Sequence, residues 1–204
     1  MKNDTPSLRV PASFGEAFEG GFYGGQVRIG EHLFAIAWAP KAQGETQAIW
    51  LPAYTLVPNA ASCFDSMANT QAMAEACSPL AKWALSLDIN GFADWCVPAR
   101  DVLELGYRNL KPTAQKNWGS FRDGDNASSV PAGYPYTDAS PVQTAAEAFR
   151  DGNPEDFDDT WYWSSTQFSA SSAFIQLFDD GSQVIYHKNS EARARAVRLI
   201  QLSA

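Results

Sequence analysis

Alternation of apolar and polar positions is clearest near the end of the chain, where Ala173 to Phe178 and Gln183 to Lys188 flank Asp179-Asp180-Gly181-Ser182. An Asp-Gly step between two alternating runs predicts an antiparallel hairpin, because glycine accepts the positive φ that a tight loop needs. With Asp180 and Gly181 as the loop, Leu177 is expected opposite Val184 and Ile175 opposite Tyr186. Phe178 then meets Gln183, Gln176 meets Ile185 and Phe174 meets His187 on the other face. The first set is uniformly apolar and is assigned to a core packed against helices around Trp83 and Leu103. The second mixes aromatic, amide and imidazole groups, which suits either a wet binding surface or the covered underside of a loop. Trp161 and Trp163 share a face of the preceding strand, with Trp163 expected as a buried anchor, and a last strand is expected from Arg193 to Leu202.

Upstream, residues 1 to 20 lack periodicity and contain Pro6 and Pro11, so they read as an arm or tether to a single domain over 21–204. Gln26 to Ile29 and His32 to Trp38, around Gly30-Glu31, predict a second hairpin. A helical stripe from Asp65 to Leu87 is interrupted at Ser78-Pro79, where serine caps and proline opens a second helical piece. Another helix is expected after Pro98, ending near Leu110. The turn-rich stretch 111–160 reads as a long loop insertion, with one short helix between Ser140-Pro141 and Gly152. The sum is an α+β chain with two main helical regions on small antiparallel sheets.

Gly91-Phe92-Ala93-Asp94-Trp95, Pro98, Arg100-Asp101, Leu103 and Tyr107, followed by Tyr162-Trp163-Ser164-Ser165-Thr166, Phe178-Asp179-Asp180-Gly181 and Arg195-Ala196-Val197-Arg198, make a combination more specific than any one piece. Over about residues 20–202 the chain resembles the bacterial and phage "domain of unknown function" family with a C-type-lectin-like fold. Variable proteins of diversity-generating retroelements and formylglycine-generating enzymes use the same fold. Gly20-Gly21-Phe22-Tyr23-Gly24-Gly25, Ala39-Pro40-Lys41 and Ile49-Trp50-Leu51-Pro52 are similar to phage and prophage members in particular. The resemblance implies a C-type-lectin-like fold with its termini close together, and it specifies fold far more than function.

Composition narrows the chemistry. A net charge of −8 with dispersed basic residues argues against a nucleic-acid partner. No run of about 18 apolar residues occurs, so membrane insertion is not expected. Cys63, Cys77 and Cys96 have no paired spacing and are expected as mostly buried free thiols, made in a reducing cytoplasm. His32 and His187 lack cysteine neighbours, so no metal or other cofactor is expected. The acidic run from Glu155 to Asp159 has neither EF-hand spacing nor the Glu-Pro-Asn and Trp-Asn-Asp signatures of calcium-dependent lectins, and reads as a solvated loop. Ser164 and Ser165 lie outside any nucleophile motif, so no catalytic residue is assigned, and Arg193, Arg195 and Arg198 are expected in local salt bridges. These readings favour a non-enzymatic virion module, a phage tail-associated protein for receptor recognition or structure. Its ligand surface would comprise Trp161, Gln167, Phe168, Phe174, Gln176, Phe178, Gln183 and His187. Its partners would be other virion proteins through the N-terminal arm and a host-surface protein or glycan, with self-association left open. A decoration protein binding only virion subunits is one alternative, and an enzyme acting on glycans or of the formylglycine-generating type is the other.

Overall fold

The structure is a computed structural model that describes residues 8–118 and 124–202, so the first seven residues of the expected arm and part of the 111–160 insertion lie outside the described residues. In chain order the elements are β1 (Ala17–Phe18), β2 (Gly21–Ile29), β3 (His32–Trp38), α1 (Lys41–Gly44), β4 (Glu45–Ile49), α2 (Ser66–Glu75), α3 (Pro79–Leu85) and α4 (Arg100–Leu110). Then follow β5 (Ser129–Val130), a 3₁₀ turn at Glu147–Phe149, β6 (Trp161–Gln167), β7 (Ser172–Leu177), β8 (Gln183–His187), β9 (Glu191–Arg195) and β10 (Val197–Gln201). The described chain is mixed α+β, with more strand than helix.

Two sheets carry the fold. The first has the order β1-β2-β3-β10 with β5 beside β2, and the second the order β4-β9-β6-β7-β8. Pairing is antiparallel except where β6 meets β9 in parallel at Tyr162 and Arg193. Most of the second sheet is covered on both faces, as its alternating side chains divide between two clusters. Trp163, Ala173, Ile175, Ala192 and Ala194 pack with Met73, Leu80, Ala81 and Ala84 of α2 and α3. Tyr162 and Phe178 turn the other way, to Trp38, Leu103, Tyr107, Phe149 and Phe157.

The helices start where the local signals place them. Asp65 accepts the Ala68 amide at 3.0 Å, and Ser78 accepts the Ala81 amide at 3.1 Å with Pro79 at the first helical position. α4 has no side-chain cap of its own; instead, the Arg100 amide donates to the Thr166 hydroxyl at 2.9 Å and the Asp101 amide to the Cys63 carbonyl at 2.7 Å. The Ser165 amide returns a bond to the Pro98 carbonyl at 2.8 Å. The motifs around Arg100 and Ser165 therefore bond to each other, and together with Cys63 they satisfy helix donors that have no intrahelical acceptor.

Four expectations are corrected. The β7–β8 loop is longer than two residues: Ile175 pairs with Val184 and Gln176 with Gln183, because Phe178 leaves the strand to stack on Phe157 at 4.1 Å. The shift is by two residues, so every side chain keeps its predicted face. The final strand is two strands in different sheets, divided at Ala196, whose amide donates to Gly44 and whose carbonyl accepts from Ala39. No α-helix forms from Ser140 to Arg150; Ser140-Pro141 is a cis peptide and the 3₁₀ turn at Glu147–Phe149 is the helical part that remains. The segment assigned to an arm joins the first sheet from Ala17 on, with Phe18 buried beside Tyr23 and Val10 packed against the same cluster as Ile200 and Leu202.

Much of the insertion is fixed by polar groups on α4. Glu104 pairs with Arg108 one turn on and also accepts from Asn126 at 2.7 Å and Tyr136 at 2.6 Å, all in buried or half-buried positions. Lys111 and Tyr107 converge on the Asn117 side-chain carbonyl, each at 2.7 Å.

Candidate functional site

A groove of about 630 Å³ opens on the second sheet, beyond the end of its face that α2 and α3 cover. Its floor is Trp161 of β6, Ile175 of β7, Val184 and Tyr186 of β8 and Ala192 of β9. Gln47, Glu191 and Arg193, with Asp158, Asp159 and Thr160, complete its lining. The floor stands on the anchor below it: Trp163 is fully buried, donates its indole N–H to the Ala48 carbonyl at 3.1 Å, and has the Tyr186 ring 6.0 Å away, centroid to centroid. Tyr186 itself is 43% exposed. The volume falls in the ordinary range for small-molecule sites.

The polar lining is set by a charge network that ties the acidic run to three cations. Lys41 Nζ donates to Asp156 at 2.5 Å and to Asp158 at 2.6 Å. Arg193 pairs with Asp158 at 2.6 Å and Glu45 at 2.9 Å, and the buried Arg195 pairs with Glu155. Burial works against the Lys41 charge, but its hydrogen bonds to Asp156 and Asp158 outweigh that and raise its pKa. Burial raises the pKa of Glu45 against the opposing pull of Arg195 and Lys41. Glu191 accepts from Gln47 at 3.0 Å, and Asp159 stands exposed at the lip. The run from Glu155 to Asp158 is thus half of a network and not a solvated loop. Its partners lie far away in sequence, and the one local signal was a dense acidic run opposite alternating arginines.

The expected ligand residues are not gathered on one surface. Trp161 lines the groove, and Phe168 and His187 are exposed, with Phe168 set edge-on to Phe174 at 5.6 Å and His187 beside Tyr54 at 6.0 Å. Phe174 lies under the Arg100 guanidinium at 4.3 Å, and Phe178 is buried among Tyr107, Phe157 and Tyr162. The three glutamines are interior ties. Gln167 accepts from the Val57 amide and from Lys188, both at 3.0 Å; Gln176 donates to the Gly181 carbonyl at 3.2 Å; Gln183 accepts from Arg100 at 2.8 Å.

The open end lies on the face that was assigned to the core. Ile175 is buried there, whereas Leu177 and Val184 are half-buried and Tyr186 is exposed. Helices α2 and α3 reach over Ala173 and Ile175 but leave β8 uncovered, and the insertion supplies Phe157 to cover Phe178 on the other face. Among the described residues no group of three or more His, Cys, Asp or Glu side chains is placed to hold a metal ion, and no helix is long and apolar enough to cross a membrane. Compared with protein-family models, curated proteins and solved structures, the chain matches none.

Proposed function

We propose that this chain is a non-enzymatic binding module with a C-type-lectin-like fold, a phage tail-associated virion protein whose recognition surface is the groove over Trp161 and Tyr186. The observation that carries the reading is the groove itself: a concave site with an aromatic and aliphatic floor, set on the strands of a sheet and rimmed by carboxylate, amide and guanidinium groups. Its fit is to a sugar of a host-surface glycan, with the apolar face of the ring on the Trp161 indole and its hydroxyls on Gln47, Asp159 and Glu191. Large rigid aromatics bury much area at low entropic cost, and the polar rim fixes orientation. The mutual hydrogen bonding of the motifs around Arg100 and Ser165 supports the family reading, since it makes them parts of the frame. Other virion proteins would be held through the N-terminal segment.

The test is binding of the purified chain to host cells and to polysaccharide released from them. Trp161→Ala and Tyr186→Ala are expected to weaken binding roughly 30-fold, about 2 kcal/mol, as aromatic anchors in recognition sites do. The melting temperature should stay near that of the wild type, because Trp161 is only half-buried and Tyr186 is exposed. Wild-type binding by both variants would place recognition elsewhere.

A further inference from the structure

β10 is the last strand of the first sheet, and part of its outer side is open. The bonds from Leu202 N to Leu33 O at 2.8 Å and from Ala39 N to Ala196 O at 2.9 Å fix the phase of the ladder with β3. Arg198 and Ile200 therefore turn their backbone groups to β3, while Val197, Leu199 and Gln201 turn theirs outward. Val197 exchanges its pair with Cys96, at 2.8 and 2.9 Å, and that isolated bridge is where the pairing ends. Among the described residues, the backbone N–H and C=O of Leu199 and Gln201 have no hydrogen-bond partner. Neither position is closed off: Leu199 is half-buried and Gln201 exposed, its side chain meeting only the exposed His32 at 3.1 Å. A pocket of about 260 Å³ opens beside this stretch. Ile29, Phe34, Met67 and Leu199, all half-buried, supply its apolar lining, and the buried Cys96 with Asp65 and Asp94 completes it. Asp94 is already paired through both oxygens with Arg198. Asp65 accepts the Ala68 amide at 3.0 Å and pairs with no cation among the described residues. Burial, followed by the Asp94 and Asp65 charges, pushes the Cys96 thiol pKa up, so both carboxylates are felt inside the pocket.

We infer that β10 takes an extended, basic segment of another protein as a further antiparallel strand, in line with the Cys96 bridge and with a lysine or arginine opposite Leu199. Such a strand runs toward Cys96, so its residue opposite Gln201 comes first and its residue opposite Leu199 two positions later. Both exchange backbone hydrogen bonds with β10, which satisfies the groups that now lack a partner. Residues directly opposite each other share a face of the sheet, and Leu199 faces the cluster that also holds Phe34 and Met67. The side chain opposite Leu199 therefore enters the pocket. A long basic side chain suits it better than a purely apolar one, because its methylene stem lies along Phe34, Met67 and Leu199 while its charged end reaches Asp65. The chain's net charge of −8 favours the approach of a basic segment over an acidic one.

Titration of the isotope-labelled full chain with short blocked peptides, followed through its amide chemical shifts, tests this. The probe alternates threonine and valine around one central lysine, and its twin carries glutamate in place of that lysine. The lysine peptide is expected to move the Leu199 and Gln201 amides in a saturable way, and its twin to bind about tenfold more weakly or less. Asp65→Asn keeps a side chain that caps α2 and removes the charge, so it should bring the two peptides close to parity. Gln201→Pro removes an outward donor without breaking the ladder to β3. It should weaken the lysine peptide about tenfold while the melting temperature stays near that of the wild type. No response of these amides to the lysine peptide, equal binding of the two peptides to the wild type, or full binding by Gln201→Pro overturns the inference. Shifts of the same amides that grow with protein concentration in the absence of peptide overturn it as well, since they assign the edge to a second copy of this chain.

Discussion

Lys188 shows how a single side chain sets a condition on the whole fold. It is fully buried, donates to the Thr55 carbonyl and the Gln167 amide oxygen, each at 3.0 Å, and lies 4.5 Å from the centre of the Trp50 ring. Burial without a countercharge lowers its pKa from 10.5 to about 8. The sign follows from proton counts. Between the folded pKa near 8 and the unfolded value near 10.5, the unfolded chain binds more protons than the folded one, so stability rises with pH across that window. Below it both states are protonated, and the cost of the buried charge is constant. The stability of the wild type relative to Lys188→Met, followed by denaturant unfolding, should be flat below about pH 8 and climb to about pH 10.5. A flat difference across the whole range would mean that Lys188 titrates normally. The same cluster shows which part of the site was legible in sequence. The pattern put Gln167 on a face with the right chemistry for ligand contact, but composition cannot tell an amide that meets a ligand from one that meets Lys188 and Val57. Burial decides that, and burial comes from chain segments remote in sequence.

α4 is the element on which the cluster around Trp38 and the insertion depend, and it sets a glycine against an indole. A methyl group added at Gly106 would stand 2.5 Å from Cζ2 of the fully buried Trp38. Alanine favours the helix by about 1 kcal/mol over glycine, whereas overpacking a rigid core costs about 1–3 kcal/mol. The clash wins because Trp38 is enclosed on all sides. Gly106→Ala should lower stability by about 1 kcal/mol or more in denaturant unfolding, and a stabilised variant would show that the indole yields. Helix starts and hairpins were legible because their signals are local: Asp65, Ser78-Pro79, the Gly30 turn and the Asp-Gly step all act within a few residues. Gly181 does adopt positive φ, at +86°. What lay beyond local signals was competition for partners. Phe178 belongs to a strand by alternation and to an aromatic cluster by packing, and the cluster prevails, lengthening the loop. The division of the last strand at Ala196 has no mark in the alternation of Arg193 to Ile200, since both halves are genuine strands.

At the scale of the molecule, the network around Arg195 joins parts that no single sheet unites. Its guanidinium donates to the Ala39 carbonyl and the Glu155 carbonyl, each at 2.8 Å, pairs with the Glu155 carboxylate, and lies over Phe157 at 4.9 Å. Arg195→Ala would take the guanidinium donor from two carbonyls and leave the largely buried Glu155 carboxylate with the Lys41 amide and no paired cation. A loss of about 3–5 kcal/mol is expected in equilibrium unfolding, and a loss below 1 kcal/mol would show that water replaces the guanidinium at no cost. The hand-over of the chain between sheets at Ala196 also bears on how the protein is made. β4 has β9 as its sole neighbour in the second sheet, and β6 reaches β4 only through β9, yet β9 follows β4 by more than 140 positions. A chain growing on the ribosome exposes Glu45–Ile49 as an unpaired strand until Glu191–Arg195 has left the exit tunnel. Neither sheet closes earlier, because β10 arrives later still, and its absence leaves β3 open along one side. Folding of these sheets waits for β9 and β10 to emerge, and the interval is when the nascent chain most needs a holding chaperone.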